Sequence, residues 1–258
     1  MSAWDPQLYL TFSSERTQPS VDLAARVQVA EPRRVIDLGC GPGNSTAVLK
    51  ARWPSAAVTG LDSDPEMLAT AAQADPTTHW LQADAATWQP DETYDVVFSN
   101  AMLQWLPGHA DAVTRFFRAV APGGALAVQV PTHQFSPLHR HIVEVASDPK
   151  WPTSLRGVRN AIHGHDVGFY YDLLSPLVER VDLWETEYCH VLAGPEAILT
   201  WIRGTGLRPF LNALPTDADR REFEADLLAK VTTSYPRRPD GRVLFPFRRL
   251  FFIGYRDR

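Results

Sequence analysis

Between Val35 and Ser45 the chain reads Val35-Ile36-Asp37-Leu38-Gly39-Cys40-Gly41-Pro42-Gly43-Asn44-Ser45, an apolar run that breaks into a D-x-G-x-G-x-G loop and opens a helical pattern. Glycines at such a turn let the backbone reverse sharply and let a ligand approach main-chain N–H groups at a helix start. A loop of this kind belongs at the C-terminal edge of a parallel sheet, so it constrains its neighbours as well. They comply. Arg34–Leu38, Ala57–Asp62, His79–Gln82, Asp95–Ser99 and Ala125–Val130 are short apolar runs. Between them, Ser45–Arg52, Pro65–Ala74 and Asp111–Val120 carry apolar residues at helical spacing. The alternation predicts parallel strands joined by right-handed crossovers.

After Val130 the pattern changes. Pro131 to Tyr170 is rich in His, Pro and Arg, with one predicted helix at Pro137–Ala146 and a loop-like remainder, as in an insertion over a sheet. Asp182–Leu192 reads as a strand, Pro195–Ile202 and Ala218–Thr232 as helices, and Leu250–Tyr255 as a closing strand. The expected fold is α/β, a single domain over residues 1–258 with about seven strands, mostly parallel with an antiparallel C-terminal strand. The core sheet is expected from residues 30–130, 180–192 and 243–256, and a helical cap from 1–20, 131–179 and 195–240.

Charge removes several functions. Residues 1–130 hold 8 Lys+Arg against 14 Asp+Glu, and the whole chain is at −5, so the broad basic face that nucleic acid requires is missing. Two cysteines, Cys40 and Cys189, make neither a disulfide framework nor a four-cysteine zinc site. The N-terminal MSAWDPQLYL has no basic or apolar leader character, and no stretch approaches the roughly 20 apolar residues of a membrane span. A cytoplasmic protein with no membrane partner is expected. Arginine outnumbers lysine 22 to 3, and Arg237, Arg238, Arg242, Arg248, Arg249, Arg256 and Arg258 crowd the last 22 residues. Planar guanidinium groups suit bidentate anion recognition.

The glycine loop alone fits several nucleotide ligands. The dinucleotide fingerprint G-x-G-x-x-G fails here, because counting from Gly39 its last position is Asn44. An acid, Asp37, ends the strand just before the first glycine, badly placed for a pyrophosphate and well placed for an amino group. The second strand ends at Asp62-Ser63, where a carboxylate can accept from both hydroxyls of a ribose. The third ends at Asp84-Ala85, suited to an adenine edge, and the fourth at Ser99-Asn100-Ala101-Met102-Leu103-Gln104-Trp105. Together these strand ends resemble the class I methyltransferases, whose Rossmann-like sheet binds S-adenosyl-L-methionine and releases S-adenosyl-L-homocysteine. The cofactor residues expected are Asp37, Gly39, Cys40, Gly41, Gly43, Asn44, Ser45, Asp62, Ser63, Met67, Asp84, Ala85, Asn100 and Gln104. Cys40 is expected as a small loop residue rather than a nucleophile.

The fourth strand end lacks the Asn/Asp-Pro-Pro-Tyr and Pro-Cys motifs of nucleic-acid methylation, which leaves a small-molecule acceptor. Trp4-Asp5-Pro6-Gln7-Leu8-Tyr9, Phe12-Ser13-Ser14-Glu15-Arg16, Leu103-Gln104-Trp105-Leu106-Pro107, Tyr170-Tyr171-Asp172-Leu173-Leu174 and Thr205-Gly206-Leu207-Arg208-Pro209, with the loop Leu38–Thr46, are similar to the trans-aconitate 2-methyltransferases. That resemblance implies a bacterial enzyme forming a monomethyl ester on a carboxylate of trans-aconitate. A carboxylate is already ionised at pH 7, so no general base is needed and no catalytic residue is named. Catalysis then rests on holding oxygen and sulfonium methyl about 3–3.5 Å apart in a dry site.

Trp4, Tyr9, Phe12 and Trp105 are expected to wall the sulfonium and substrate. Arg16, Arg208 and Arg249, with Tyr170, are expected to hold the remaining carboxylates. His139-Arg140-His141 and His163-Gly164-His165 lack ligand spacing, so no metal is expected. Three other readings compete: esterification of a malonyl group on a carrier protein, a catalytically silent S-adenosylmethionine-binding module, and a nicotinamide oxidoreductase.

Overall fold

The computed structural model describes residues 13–132, 134, 136–158, 163–178 and 180–258. Its strands are β1 (Arg34–Leu38), β2 (Ala57–Asp62), β3 (His79–Gln82), β4 (Tyr94–Asn100), β5 (Val120–Pro131), β6 (Arg180–Leu192) and β7 (Val243–Tyr255). They form one seven-stranded sheet in the order β3-β2-β1-β4-β5-β7-β6. β1 pairs in parallel with β2 and β4, β2 with β3, and β4 with β5, while β7 runs antiparallel to β5. The order reverses between β1 and β4. At such a reversal the connections leave in opposite directions and a crevice opens beyond the strand ends.

The described helices are α1 (Ser13–Arg26), α2 (Asn44–Arg52), α3 (Pro65–Ala74), α4 (His109–Arg118), α5 (Pro137–Ala146), α6 (Ser154–Val158), α7 (Val167–Leu174), α8 (Pro195–Arg203), α9 (Arg208–Ala213) and α10 (Asp217–Ser234), with a 3₁₀ turn at Leu103–Trp105. Several differ from expectation for local reasons. The predicted helix Asp111–Val120 stops at Arg118, because Val120 opens β5 ahead of Pro122-Gly123-Gly124, which no helix tolerates. β7 starts at Val243 rather than Leu250, since Pro246, Arg248 and Arg249 interrupt its apolar pattern. α7 occupies part of the expected loop, started by Asp166, whose carboxylate accepts from the Phe169 N–H at 2.9 Å. α1 carries Pro19 in its interior, which hid the helix from a propensity reading.

Contacts divide the chain into two compact units: a core unit of Ser13–Pro131, His163–Glu185 and Arg249–Arg258, and a second unit from the described residues of Thr132–Ile162 and Thr186–Arg248. Residues 13–20 and 163–178, expected in the cap, therefore belong to the core unit; residues 186–192 and 243–248, expected in the core, belong to the second. Burial explains the first change. Ser20, Leu23 and Ala24 are buried along one side of α1, as is Val27 just after it, and Tyr170 and Leu174 of α7 are wholly enclosed.

Each unit has its own apolar core. In the core unit Ile36, Leu38, Val97, Val128, Phe116 and Phe252 are fully buried, as strands covered on both faces require. In the second, Phe223, Leu227 and Val231 recur at i, i+4 and i+8 on α10 and bury with Leu138, Ile142, Ile198 and Phe245. Each such side chain contributes roughly 1.5–3 kcal/mol.

Candidate functional site at the C-terminal edge of the sheet

The β1 loop turns at Gly39 and Gly41, both in the left-handed region at φ +73° and +55°. A side chain at Gly39 would collide with Met102, so the loop and the segment after β4 touch only because that Cβ is missing. At Gly41 an added Cβ would meet nothing within 4 Å, so this backbone faces open space. The N–H groups of Gly39 and Cys40 both donate to the Leu61 carbonyl, at 2.8 and 3.0 Å. The Gly41 N–H donates to Asp62 Oδ2 at 2.8 Å, and the Asp64 N–H to Asp62 Oδ1 at 2.9 Å. Each Asp62 oxygen retains acceptor capacity for a further donor. Burial raises its carboxyl above the ordinary value, against those N–H groups. Cys40 is buried, and desolvation beside Asp37 and Asp62 pushes its thiol far above its ordinary value, so it stays an inert thiol.

Asp37 is fully buried near the end of β1, and its Oδ2 accepts from Ser45 and Thr46 Oγ, both at 2.7 Å. These hydroxyls open α2, so the acid fixes the helix start. Its other oxygen, Oδ1, is buried with no donor, and burial lifts the carboxyl to about 6. Two further buried acceptors lack donors: Asn100 Oδ1 at the end of β4 and Gln104 Oε1 in the 3₁₀ turn. Gln104 Nε2 is engaged with the Ala101 carbonyl at 2.6 Å. Unsatisfied buried acceptors are costly, about 1–3 kcal/mol each, so three at one edge of a sheet fit a ligand that brings N–H or O–H donors.

Asp84 is exposed at the end of β3, with Oδ1 accepting from the Ala86 N–H at 2.8 Å. Ala85 is buried, its carbonyl taken by Arg115 at 2.9 Å. Met67 is buried on α3, Ser63 is exposed after β2, and Asn44 is half-buried at the first position of α2. All of these lie in the core unit.

The residues expected at the substrate are less uniform. Tyr9, Trp4 and Phe12 lie outside the described residues. Trp105 is half-buried in the 3₁₀ turn after β4. Arg208 opens α9 in the second unit. Arg16 on α1 and Arg249 on β7 are buried in the core unit, at 8% and 6% exposure.

Tyr170 has another role. It is wholly buried against Phe252, with ring centroids 4.7 Å apart, and its hydroxyl sits 2.7 Å from His109 Nδ1. Burial, with His165 and His163 nearby, lowers His109 to about 4, so at neutral pH its ring is an uncharged hydrogen-bond partner. The hydroxyl assigned to substrate from sequence is spent inside the core. The main-chain N–H of His163 donates to the Gln104 carbonyl at 2.8 Å, joining this cluster to the turn after β4. Among the described residues no group of three or more His, Cys, Asp or Glu is placed to hold a metal.

The sequence reading missed Gln129. It is fully buried on β5, opposite Asn100 in the β4–β5 register. Its signal was a lone amide inside Ala125-Leu126-Ala127-Val128-Gln129-Val130, a run otherwise fit for a strand covered on both faces. Parallel register sets Asp37 beside Phe98 and Asn100 beside Gln129, and alternation puts all four on one face. Arg249 pairs with Pro131, two residues beyond Gln129, and shares that face.

A Ser–His–Glu line also occurs in the second unit, with His141 Nε2 2.7 Å from Ser234 Oγ and Nδ1 3.2 Å from Glu144. Ser234 is the last residue of α10, where carbonyls converge and an oxyanion would be repelled. The line ties α5 to α10.

The family described as "Methyltransferase domain" matches residues 35–124, the stretch from β1 into β5. Over essentially the whole chain, relatives named trans-aconitate 2-methyltransferase are similar: one from Azoarcus sp. (strain BH72) is 45% identical, covering 99% of this chain and 100% of its own. Another from Methylobacterium nodulans is 47% identical, covering 100% of both. The chain belongs to the trans-aconitate 2-methyltransferase family. Solved structures agree on the fold of this family member. The YcgJ protein from Bacillus subtilis superposes with TM-score 0.62 at 15% identity, over 93% of this chain and 99% of that one. Phosphoethanolamine N-methyltransferase 2 from Haemonchus contortus, solved with S-adenosyl-L-methionine, gives TM-score 0.57 at 14% identity, over 93% of this chain and 53% of that one.

Proposed function

We propose that this member of the trans-aconitate 2-methyltransferase family transfers a methyl group from S-adenosyl-L-methionine to one carboxylate of trans-aconitate. The donor supplies an electrophilic methyl on a sulfonium; the chain's residues bind, orient and exclude water. The observation that carries the reading is the pairing of buried acceptors near β1 and β4 with buried cations on α1 and β7, all within the core unit. Acceptors suit a ligand with an ammonium and hydroxyls, and cations suit a polyanion. Asp37 Oδ1 then takes the ammonium, Asp62 the ribose hydroxyls, and Asp84 with Ala85 the adenine edge. The Gly39-Cys40-Gly41 backbone, Gly43, Asn44 and Ser45 shape the loop, and Ser63, Met67, Asn100 and Gln104 complete the lining.

Arg249 and Arg16 are the proposed carboxylate partners, with Trp105 beside them. α1 ends near the start of the β5–β7 pairing: the Gln28 N–H donates to the Tyr255 hydroxyl at 3.2 Å, and Tyr255 pairs with Ala125. Arg16 lies ten residues before Arg26, roughly 15 Å along the helix. Gln129 to Pro131 lie roughly 13–20 Å along β5 from Ala125. That spacing supports Arg16 at their level, and it shares the buried side of α1 with Ser20 and Leu23. No described helix is long and apolar enough to cross a membrane, and we propose that the enzyme works in the cytoplasm on a small polycarboxylate.

Incubation with trans-aconitate and labelled donor, followed by mass spectrometry and NMR of the product, tests this function. A monomethyl ester is the expected result, and its absence refutes the assignment.

Asp37 makes donor binding depend on pH. With its carboxyl at about 6 in the protein alone, an ammonium beside Oδ1 selects the ionised form and expels the proton. An α-amino group stays protonated below pH 7. The dissociation constant for S-adenosyl-L-homocysteine is thus expected to rise about tenfold from pH 7 to pH 5 by calorimetry, and Asp37→Asn to flatten the profile.

A further inference from the structure

Gln129 holds two unequal ends of one amide in a fully buried position. Arg249 Nη1 donates to its Oε1 at 3.4 Å. A guanidinium only donates, so the atom facing it must be the amide oxygen, and the NH₂ end is turned elsewhere. That end, Nε2, is buried without an acceptor among the described residues. The Gln129 backbone is fixed as well, since its carbonyl accepts from the Ala101 N–H at 3.0 Å, where Ala101 is held at φ +56°. On the next strand, on the same face, Asn100 presents an acceptor, Oδ1, that has no donor.

Neighbouring strands lie about 4.8 Å apart, so these two amides could reach one another. They do not bond. One orphan donor and one orphan acceptor side by side call for a ligand that accepts at β5 and donates at β4. The donor's ammonium supplies the second need, whereas a carboxylate oxygen supplies the first.

We propose that Gln129 is a substrate-recognition residue, which donates from Nε2 to a carboxylate oxygen of the polycarboxylate while Arg249 holds the amide in that orientation. This rests on the methyl-transfer reading above and adds a neutral donor beside the cations. A neutral amide grips the oxygen both as a carboxylate and as an ester carbonyl, so it does not favour the starting anion over the product as a cation would.

Steady-state kinetics on Gln129→Glu and Gln129→Met test it. Glu is isosteric and can pair with Arg249, so the fold is retained, but it turns a negative charge on the substrate. The KM for trans-aconitate is expected to rise at least thirtyfold in Gln129→Glu and about tenfold in Gln129→Met. Both should keep kcat within threefold and S-adenosyl-L-homocysteine affinity within twofold. A KM within twofold of wild type in Gln129→Glu overturns the proposal, as does a loss of cofactor affinity matching the loss in KM, which would place Gln129 with the other ligand. In the wild-type protein saturated with S-adenosyl-L-homocysteine, the Gln129 side-chain amide NMR signals should shift when trans-aconitate is added; an unmoved signal also overturns it. Failure of wild type to make any monomethyl ester would instead refute the underlying reading, so the two failures are told apart.

Discussion

Replacing Arg249 by Met is expected to lower kcat/KM for trans-aconitate a few hundredfold while leaving S-adenosyl-L-homocysteine binding within threefold. The residue is buried on β7, where it shares a sheet face with Gln129. A guanidinium there gives a carboxylate two charge-assisted bonds, each about 1.5–3 kcal/mol, and every 1.4 kcal/mol is about tenfold. Methionine keeps the aliphatic stem, so the loss reports on charge rather than packing. Arg249→Lys restores the charge without the planar fork and should recover only about a tenth of the lost efficiency. Kinetics indistinguishable from wild type in Arg249→Met would remove this arginine from the substrate.

Asp62→Ala is expected to weaken S-adenosyl-L-homocysteine binding about a hundredfold by calorimetry, with little change in the trans-aconitate KM at saturating donor. Two ribose hydroxyls bonded to a carboxylate account for about 3 kcal/mol. The same substitution strips acceptors from the Gly41 and Asp64 N–H groups, so the glycine loop loses its anchor at the turn that faces open space. Asp62→Asn keeps one acceptor oxygen and should lose only about tenfold. A constant within threefold of wild type in Asp62→Ala would mean that the ribose lies elsewhere.

The strands that carry the proposed cofactor site were legible because their signals are local. The bounds of β1, β2 and β3 were readable from sequence, since each is a short apolar run closed by Asp or Gly at the strand end or turn. Asp37 and Asp62, the proposed ammonium and ribose partners, stood out by their position in those runs. What sequence could not supply was which atom each group already spends. Tyr170 looked like a donor to substrate until its hydroxyl was found on His109. Gln129 is a lone amide in an apolar strand run, and only register sets it beside Asn100 and on the sheet face that bears Arg249. Arg16 seemed part of a cap, because Pro19 concealed the helix that buries it. Pairings between distant segments carry this information, and periodicity along one segment does not.

On the proposed donor site, filling the orphaned acceptors of Asp37, Asn100 and Gln104 would tie the enzyme's endurance to its supply of methyl donor. A ligand that binds only the native state stabilises it by RT ln(1 + [L]/Kd), about 2.7 kcal/mol at a hundredfold excess over Kd. Relieving groups that the bare protein leaves unsatisfied is one source of that affinity. A cell short of donor would therefore hold this protein in a less stable form, more open to proteolysis, and lose methylating capacity through turnover as well as through idle active sites.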